Sequence, residues 1–122
     1  MFINFSNHPS DRWSEEQRAA AKELGGDIVD VSFPNIEPAS SLEDVKRLAL
    51  EYFDRIVEDS PDDNHDVIHV MGEMTFVFCF VGLCKSAGIP CVAATTKRVA
   101  VENPDGSKTS VFEFVQFRPY FQ

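Results

Sequence analysis

The residues best suited to chemistry follow the first apolar segment of the chain, where residues 2–5 give way to Ser6, Asn7 and His8. A histidine can donate or accept a proton near neutral pH, and hydroxyl and amide groups can hold a polar ligand. The proline after His8 disfavours helical backbone there, so a local turn explains the same residues. Ser10 is a turn residue first and a ligand second. The sequence leaves a turn and one wall of a site both open.

A second group, formed by Thr95, Thr96, Lys97 and Arg98, places two hydroxyls and two cations in four consecutive residues. The whole chain has only 11 basic residues, so this is a local concentration of positive charge. Hydroxyls together with Lys and Arg are the groups that bind a phosphodiester. An ordinary turn between strands would also explain these residues, and the sequence alone favours neither interpretation.

A third group, Gly72, Glu73 and Thr75, stands where a predicted strand gives way to a helix. The free N–H groups of a helix N-terminus could cradle an anion there. Glu73 more simply complements the helix dipole, and it would repel a phosphate if it faced a cleft. His69, inside the preceding strand, is predicted to pack in the sheet. Trp13 is predicted to be an apolar staple before the first helix rather than a platform for a base.

The elements that must position these groups alternate along the chain as β-α-β-α-β-α-β-β-β. Capping boxes at residues 14–17 and 40–43 mark two helix starts, and apolar residues recur at helical spacing from Leu42 to Ile56. A polar loop is predicted at 58–64. Strands are predicted at 2–5, 27–33, 66–71 and 90–94, with a hairpin of strands 99–102 and 109–117 around a turn at 103–107.

This alternation predicts a Rossmann-like α/β fold for one domain spanning residues 1–122. The sheet is expected to be mostly parallel, with helices on both faces and a C-terminal antiparallel β-hairpin on one edge. Ligands bind such sheets beyond the carboxyl ends of the strands. The three groups of polar residues are therefore expected to meet at one edge of the sheet.

The helix predicted after Gly72 is apolar on every side, with Phe76, Phe78 and Phe80 among its residues. Such a helix needs burial all round, which favours a homodimer interface beside the sheet. The alternative is that the hairpin or the C-terminal strand covers it.

The composition restricts the class of partner. A formal net charge of −9 argues against binding to duplex nucleic acid, although a few local donors could still hold one small anion. The longest apolar run, residues 74–83, is shorter than the roughly 20 residues of a membrane span, and no targeting leader is evident. Three cysteines without metal-ligand spacing predict a cytoplasmic protein with buried thiols, no metal site and no cofactor.

Three short segments, SNHPS at 6–10, GEMT at 72–75 and ATTKR at 94–98, resemble the standalone CRISPR-associated ring nucleases, which are similar to reduced CARF sensor domains. The resemblance covers most of the chain. It implies a dimer whose clefts bind a cyclic oligoadenylate, most often cyclic tetra-adenylate, and linearise it without a metal. A ribose 2′-hydroxyl would attack the adjacent phosphorus, ending type III CRISPR signalling.

The resemblance also implies roles for the three groups. His8 would protonate the leaving 5′-oxygen, and Lys97 or Arg98 would stabilise charge in the transition state. The ligand would be lined by the remaining residues, Ser6, Asn7, Ser10, Gly72, Glu73, Thr75, Thr95 and Thr96.

Three other functions stay open on the sequence alone. A binding module could capture the nucleotide without cutting it. A small transferase or hydrolase, similar to a deoxyribosyltransferase, would use Glu73 as its nucleophile. A structural subunit would use the apolar helix only for assembly.

Overall fold

A computed structural model describes residues 1–60 and 65–122, and the predicted polar loop lies partly outside them. Within these residues the chain forms five strands, three α-helices and one short 3-10 helix. The strands are β1 (Phe2–Ser6), β2 (Ile28–Ser32), β3 (Val67–Val70), β4 (Cys91–Glu102) and β5 (Lys108–Pro119). The helices are α1 (Glu15–Gly25), α2 (Leu42–Glu58) and α3 (Met74–Ala87), with the 3-10 turn at Ser10–Arg12.

The five strands form one sheet in the order β2-β1-β3-β4-β5. All neighbouring strands run parallel except β4 and β5, which form an antiparallel hairpin at one edge. The predicted α/β class, mostly parallel sheet and C-terminal hairpin are confirmed. Chain order reverses at β1, which lies between β2 and β3, so a crevice is expected where the loops after β1 and β3 diverge.

Both faces of the sheet carry helices, as predicted. On one face α2 and α3 cover a core in which Phe5, Phe76 and Phe80 are fully buried. On the other face α1 covers a smaller cluster that includes Phe2 and Phe117. Burial of each phenylalanine contributes roughly 1.5–3 kcal/mol, so the five rings together contribute about 8–15 kcal/mol to this packing.

The predicted break between strand four and the hairpin is wrong. β4 continues without interruption through residues 95–98 and pairs with β5 from Val92 to Glu102. The parallel partner β3 pairs only with Cys91 and Val92, so a two-stranded ribbon extends beyond the parallel part of the sheet. Threonine and valine favour strands and no Gly or Pro interrupts the run, which is the signal for continuity that the prediction overlooked.

The helix starts follow the predicted chemistry, with one shift. The Ser14 hydroxyl accepts from the Gln17 N–H at 3.2 Å, as the first capping box predicts. The second box is formed by Ser41 and Asp44, one residue later than predicted. Asp44 takes the position three residues after the cap, and its carboxylate reaches the Ser41 N–H as a glutamate would.

Helix α3 buries one side and exposes the other. Phe76, Phe80 and Cys84 face the core, whereas Met74 is 84% and Phe78 79% exposed. The exposed side and the chain end near Tyr120 border an apolar groove of about 650 Å³, called the α3 groove below. The C-terminal strand therefore does not cover this side. Across the described residues, every helix falls short of the length and apolar character that a membrane crossing requires.

Candidate functional site

A cleft of about 980 Å³ opens at the carboxyl edge of the sheet, on the face that α1 covers. The loop after β1, the start of α1 and the β4–β5 ribbon form its walls. This volume lies at the upper end of the range for small-molecule sites, about 300–1,000 Å³. The polar and aromatic residues that line this cleft, called the His8 cleft below, include Asn7, His8, Arg12, Trp13, Glu16, Gln17, His69, Thr96, Phe112, Glu113 and Phe114.

A row of polar side chains crosses three neighbouring strands on this face of the sheet. The strand register places Asn4 opposite both Asp30 and His69. The Asn4 amide is 1% exposed, and its Nδ2 donates to Asp30 Oδ1 at 2.9 Å and to the His8 carbonyl at 2.8 Å. The first loop is therefore hydrogen-bonded directly to the interior of the sheet.

These bonds determine which nitrogen of His69 carries the proton. Both partners of Asn4 Nδ2 only accept, so the amide orientation is assigned by the network. Asn4 Oδ1 then accepts from the Ser6 hydroxyl at 2.7 Å and from His69 Nδ1 at 2.9 Å. Because a carbonyl oxygen cannot donate, His69 has its hydrogen on Nδ1 and a free lone pair on Nε2.

His69 is a buried, neutral imidazole. It is 2% exposed, lies edge-on to Trp13 at 5.5 Å and to Phe117 at 5.3 Å, and stacks on Phe2. Burial, with a smaller effect from the charge of His8, lowers the pKa of His69 to about 4. Over the described part of the chain, its Nε2 has no hydrogen-bond partner. The predicted packing in the sheet is confirmed, but the prediction missed that His69 also lines the cleft.

The backbone of His8 is held by hydrogen bonds from several side chains. Its carbonyl accepts from Asn4 Nδ2 and from Trp13 Nε1 at 3.1 Å, and its N–H donates to Ser6 Oγ at 3.2 Å. The Ser10 hydroxyl donates to Asp30 at 3.0 Å. Ser6 and Ser10 thus hold the loop and do not line the cleft, while the exposed His8 and Asn7 do.

Trp13 is 7% exposed and packs edge-on against Phe2 at 6.1 Å, so the indole is buried as expected, but its partner is a strand residue and not the helix residue that a staple requires. Its indole N–H adds a polar anchor for the first loop that an apolar staple would lack. Trp13 therefore joins the core of the α1 face to the wall of the His8 cleft.

The two threonine hydroxyls on β4, those of Thr95 and Thr96, have different surroundings. Thr96 lines the cleft, whereas the Thr95 hydroxyl donates to the Gln116 carbonyl across the ribbon at 3.2 Å. The register shifts between these two residues, as at a β-bulge. Only Thr96 is therefore placed to meet a ligand in the cleft.

The two predicted cations lie outside the cleft lining. Successive residues on a strand point to opposite sides, so Lys97 faces away from the side that Thr96 occupies. Arg98 donates from Nε and a terminal nitrogen to the Ser110 hydroxyl at 3.1 and 3.0 Å. The cation that does line the cleft is Arg12, which the sequence analysis missed.

The residues at the start of α3 have internal partners. The Glu73 carboxylate caps the helix, accepting from the Thr75 N–H at 2.7 Å and from the Thr75 hydroxyl. The bond to that hydroxyl is the main cause of the lowered pKa of Glu73. A Cβ on Gly72 would come within 2.3 Å of the Phe33 ring, so packing requires glycine there. The helix N-terminus therefore already holds a carboxylate where an anion would bind.

The predicted site is therefore only partly assembled. Asn7, His8 and Thr96 line the His8 cleft, while Gly72 borders the α3 groove and Glu73 borders a neighbouring pocket of about 290 Å³ that Asn7 also lines. In the portion of the chain that the structure describes, no three His, Cys, Asp or Glu side chains are grouped as metal ligands. The His8 cleft combines aromatic walls, Arg12 and two imidazoles with two acidic residues, Glu16 and Glu113, which suits a planar ligand that carries hydrogen-bond donors as well as an anionic group.

Comparisons with known proteins give one match. The chain matches no curated protein and no solved structure. A family model described as "Uncharacterized protein MJ1673 family" matches residues 1–118, so the chain belongs to that family.

Proposed function

We propose that the His8 cleft binds a cyclic oligoadenylate, in particular cyclic tetra-adenylate, and opens the ring without a metal ion. The observation that carries this proposal is that buried donors clamp the backbone of His8 while its side chain borders a cleft with aromatic walls. A turn histidine needs no such anchoring. A histidine that must meet one phosphodiester oxygen benefits from it, because catalysis depends on position.

The proposed reaction is an internal transesterification. A ribose 2′-oxygen forms a bond to the adjacent phosphorus as the bond from phosphorus to the 5′-oxygen breaks. The 2′-hydroxyl proton leaves to solvent, and His8 in its protonated form supplies a proton to the departing 5′-oxygen. The products are a linear oligoadenylate with a 2′,3′-cyclic phosphate at one end and a 5′-hydroxyl at the other.

We assign the remaining contacts by their place around the cleft. Arg12 replaces Lys97 as the cation proposed beside the reacting phosphate, because Lys97 faces the other side of the ribbon. Thr96 and Asn7 would bind phosphate or ribose oxygens inside the cleft. Arg98 shares the ribbon side of Thr96 and would meet a phosphate nearer the cleft mouth.

The adenine bases would stack on the walls of the His8 cleft. Phe112, which is 68% exposed, offers a free aromatic face, and the half-buried Phe114 lies beside it in the same lining. Stacking of one base on an aromatic side chain contributes about 1–3 kcal/mol and tolerates any base. Base stacking can therefore compensate for the unfavourable net charge of −9.

We further propose that the protein is a cytoplasmic CARF-like, Rossmann-like homodimer that ends type III CRISPR signalling. The exposed side of α3 would form the dimer interface, because Met74 and Phe78 offer large apolar surfaces at helical spacing. A stable interface needs about 800 Å² from each partner, more than these two side chains supply, so the α3 groove as a whole would be covered.

Capture without cleavage is the second candidate function. It is favoured by the lowered pKa of His69, which makes this imidazole a weak base for activating a 2′-hydroxyl. A protein of this type would hold the intact ring and lower its free concentration.

The test is incubation of purified protein with labelled cyclic tetra-adenylate in excess EDTA, resolved against linear standards. Linear product ending in a cyclic phosphate is expected. A ring that is retained but uncut would support capture. A ring that is neither bound nor cut would refute both functions.

A further inference from the structure

His69, which borders the His8 cleft, carries a buried hydrogen-bond acceptor that has no partner among the described residues. His69 Nε2 carries a lone pair, because Nδ1 donates to Asn4 Oδ1, and the described residues offer it no donor. His69 nevertheless borders the cleft. A buried acceptor left unpaired reduces the stability of the folded chain, and a ligand that supplies a donor removes that penalty.

The chemistry of this acceptor restricts what it can bind. A neutral imidazole nitrogen without a hydrogen attracts a hydroxyl or amine donor and repels a phosphate oxygen, which is itself an acceptor. The hydrogen bonds of Asn4 keep His69 Nε2 without a hydrogen. Asp30 and the His8 carbonyl fix the orientation of the Asn4 amide, so that its oxygen faces His69 Nδ1. Asn4 is therefore a positioning residue for His69.

We propose that His69 Nε2 accepts a hydrogen bond from a ribose 2′-hydroxyl of the ligand in the His8 cleft. This inference rests on the proposed function and names the group that the cleft recognises. An oligoadenylate has two kinds of donor, the 2′-hydroxyl and the adenine amine. Phe112 is 68% exposed and His69 is 2% exposed in the same lining, so a base stacked on Phe112 would lie outside and leave the ribose to reach inward to His69.

Binding would be visible at Trp13. Nε2 is closed off in the free protein, so a donor can reach it only after a neighbouring side chain shifts. Trp13 lies edge-on to His69 at 5.5 Å and is the single tryptophan of the chain. Its fluorescence therefore reports on the part of the cleft wall next to His69.

The first experiment tests the protonation state without any ligand. Nitrogen-15 NMR of the free protein at pH 7 is expected to show His69 with a hydrogen on Nδ1 and none on Nε2. In Asn4→Ala the Nδ1 partner is gone, and a mixture of tautomers is expected. A wild-type His69 with its hydrogen on Nε2 would overturn the proposal.

The second experiment compares cyclic tetra-adenylate with its 2′-deoxy counterpart in fluorescence titrations, using His8→Ala protein if the ring is cut. Loss of one neutral hydrogen bond corresponds to about a 2- to 12-fold weaker affinity. Wild-type and His65→Phe proteins are expected to prefer the ribose ring by this factor. His69→Phe is expected to bind both rings equally.

The outcomes separate the two proposals. Equal binding of both rings by wild-type protein overturns the 2′-hydroxyl contact and leaves ring binding intact. If neither ring binds, adenosine monophosphate and its 2′-deoxy analogue serve as probes. If wild-type protein prefers adenosine monophosphate over the 2′-deoxy analogue and His69→Phe does not, the contact between His69 and the 2′-hydroxyl is supported, although binding of the cyclic ring is refuted. If these also fail to bind, both proposals are refuted.

Discussion

The His8 cleft and the α3 groove both include Met71 in their lining, but they extend over opposite faces of the sheet and are otherwise built from different groups. The His8 cleft rests on polar atoms in fixed hydrogen bonds, with Asn4 as the central member. The α3 groove presents mainly apolar surface, most of it from Met74, Phe78 and neighbours on the same helix. Directional bonds select a ligand by the position of its atoms, whereas apolar area favours any complementary surface. The two regions are therefore suited to different partners.

The largest expected effect is on cleavage in the His8 cleft. Replacing His8 with Ala removes the proposed proton donor, and cleavage of cyclic tetra-adenylate is expected to fall by about 10²- to 10⁴-fold. Single-turnover rates measure this loss, and fluorescence titration is expected to show affinity within a few-fold of wild type. His65→Ala, which changes an exposed histidine outside the cleft, serves as the control. Equal rates for both variants would contradict the role of His8.

The next effect concerns the α3 groove. Phe78→Glu places a charge at the centre of the proposed interface and is expected to weaken dimerisation by at least about 30-fold, the threshold for a binding hot spot. Sedimentation equilibrium measures this shift. Leu50→Glu is the matched control, since Leu50 is 47% exposed on α2. A wild-type protein that is monomeric at all concentrations would refute the proposed interface.

The dependence of folding stability on pH tests whether the His69 imidazole is neutral in the folded protein. The pKa of His69 is lowered to about 4, while an unfolded histidine titrates near 6.5. Between these values the unfolded chain binds a proton that the folded chain does not, so stability falls as pH falls. The penalty starts near pH 6.5, is complete below about pH 4, and totals about 3 kcal/mol.

Urea denaturation at several pH values measures this dependence. His69→Phe is expected to lose that part of the slope, whereas His65→Phe is expected to keep it. Identical slopes in wild type and His69→Phe would show that His69 is not held neutral by burial.

The smallest effects come from two glycines that border the α3 groove. A Cβ at Gly72 would meet the Phe33 ring, so Gly72→Ala is expected to destabilise the fold by about 1–3 kcal/mol. A Cβ at Gly82, inside α3, meets nothing within 4 Å. Gly82→Ala is therefore expected to stabilise the isolated protomer by about 0.8 kcal/mol. Thermal or urea unfolding of both variants checks the opposite signs, and a stabilising Gly72→Ala would contradict the packing argument.

Much of the fold could be predicted from local signals. The cap at Ser14, the helical spacing from Leu42 onward and the turn before Lys108 all act within a few residues, so the sequence specifies them directly. The predicted break in β4 was wrong because the conformation of this segment depends on a partner strand and not on nearby residues. Whether residues 95–98 turn or continue depends on β5 as a partner, which satisfies their backbone hydrogen bonds.

The sequence by itself determined that His8 follows a core strand and that Arg98 and its neighbours form a basic segment. Only the tertiary structure decided what these residues meet. Asn4 bonds to Asp30, 26 positions away, and to His69, 65 positions away, because parallel register makes them lateral neighbours. Side-chain alternation on the ribbon then separates Thr96 from Lys97. A site built across parallel strands depends on register, and register is set by the packing of the whole sheet.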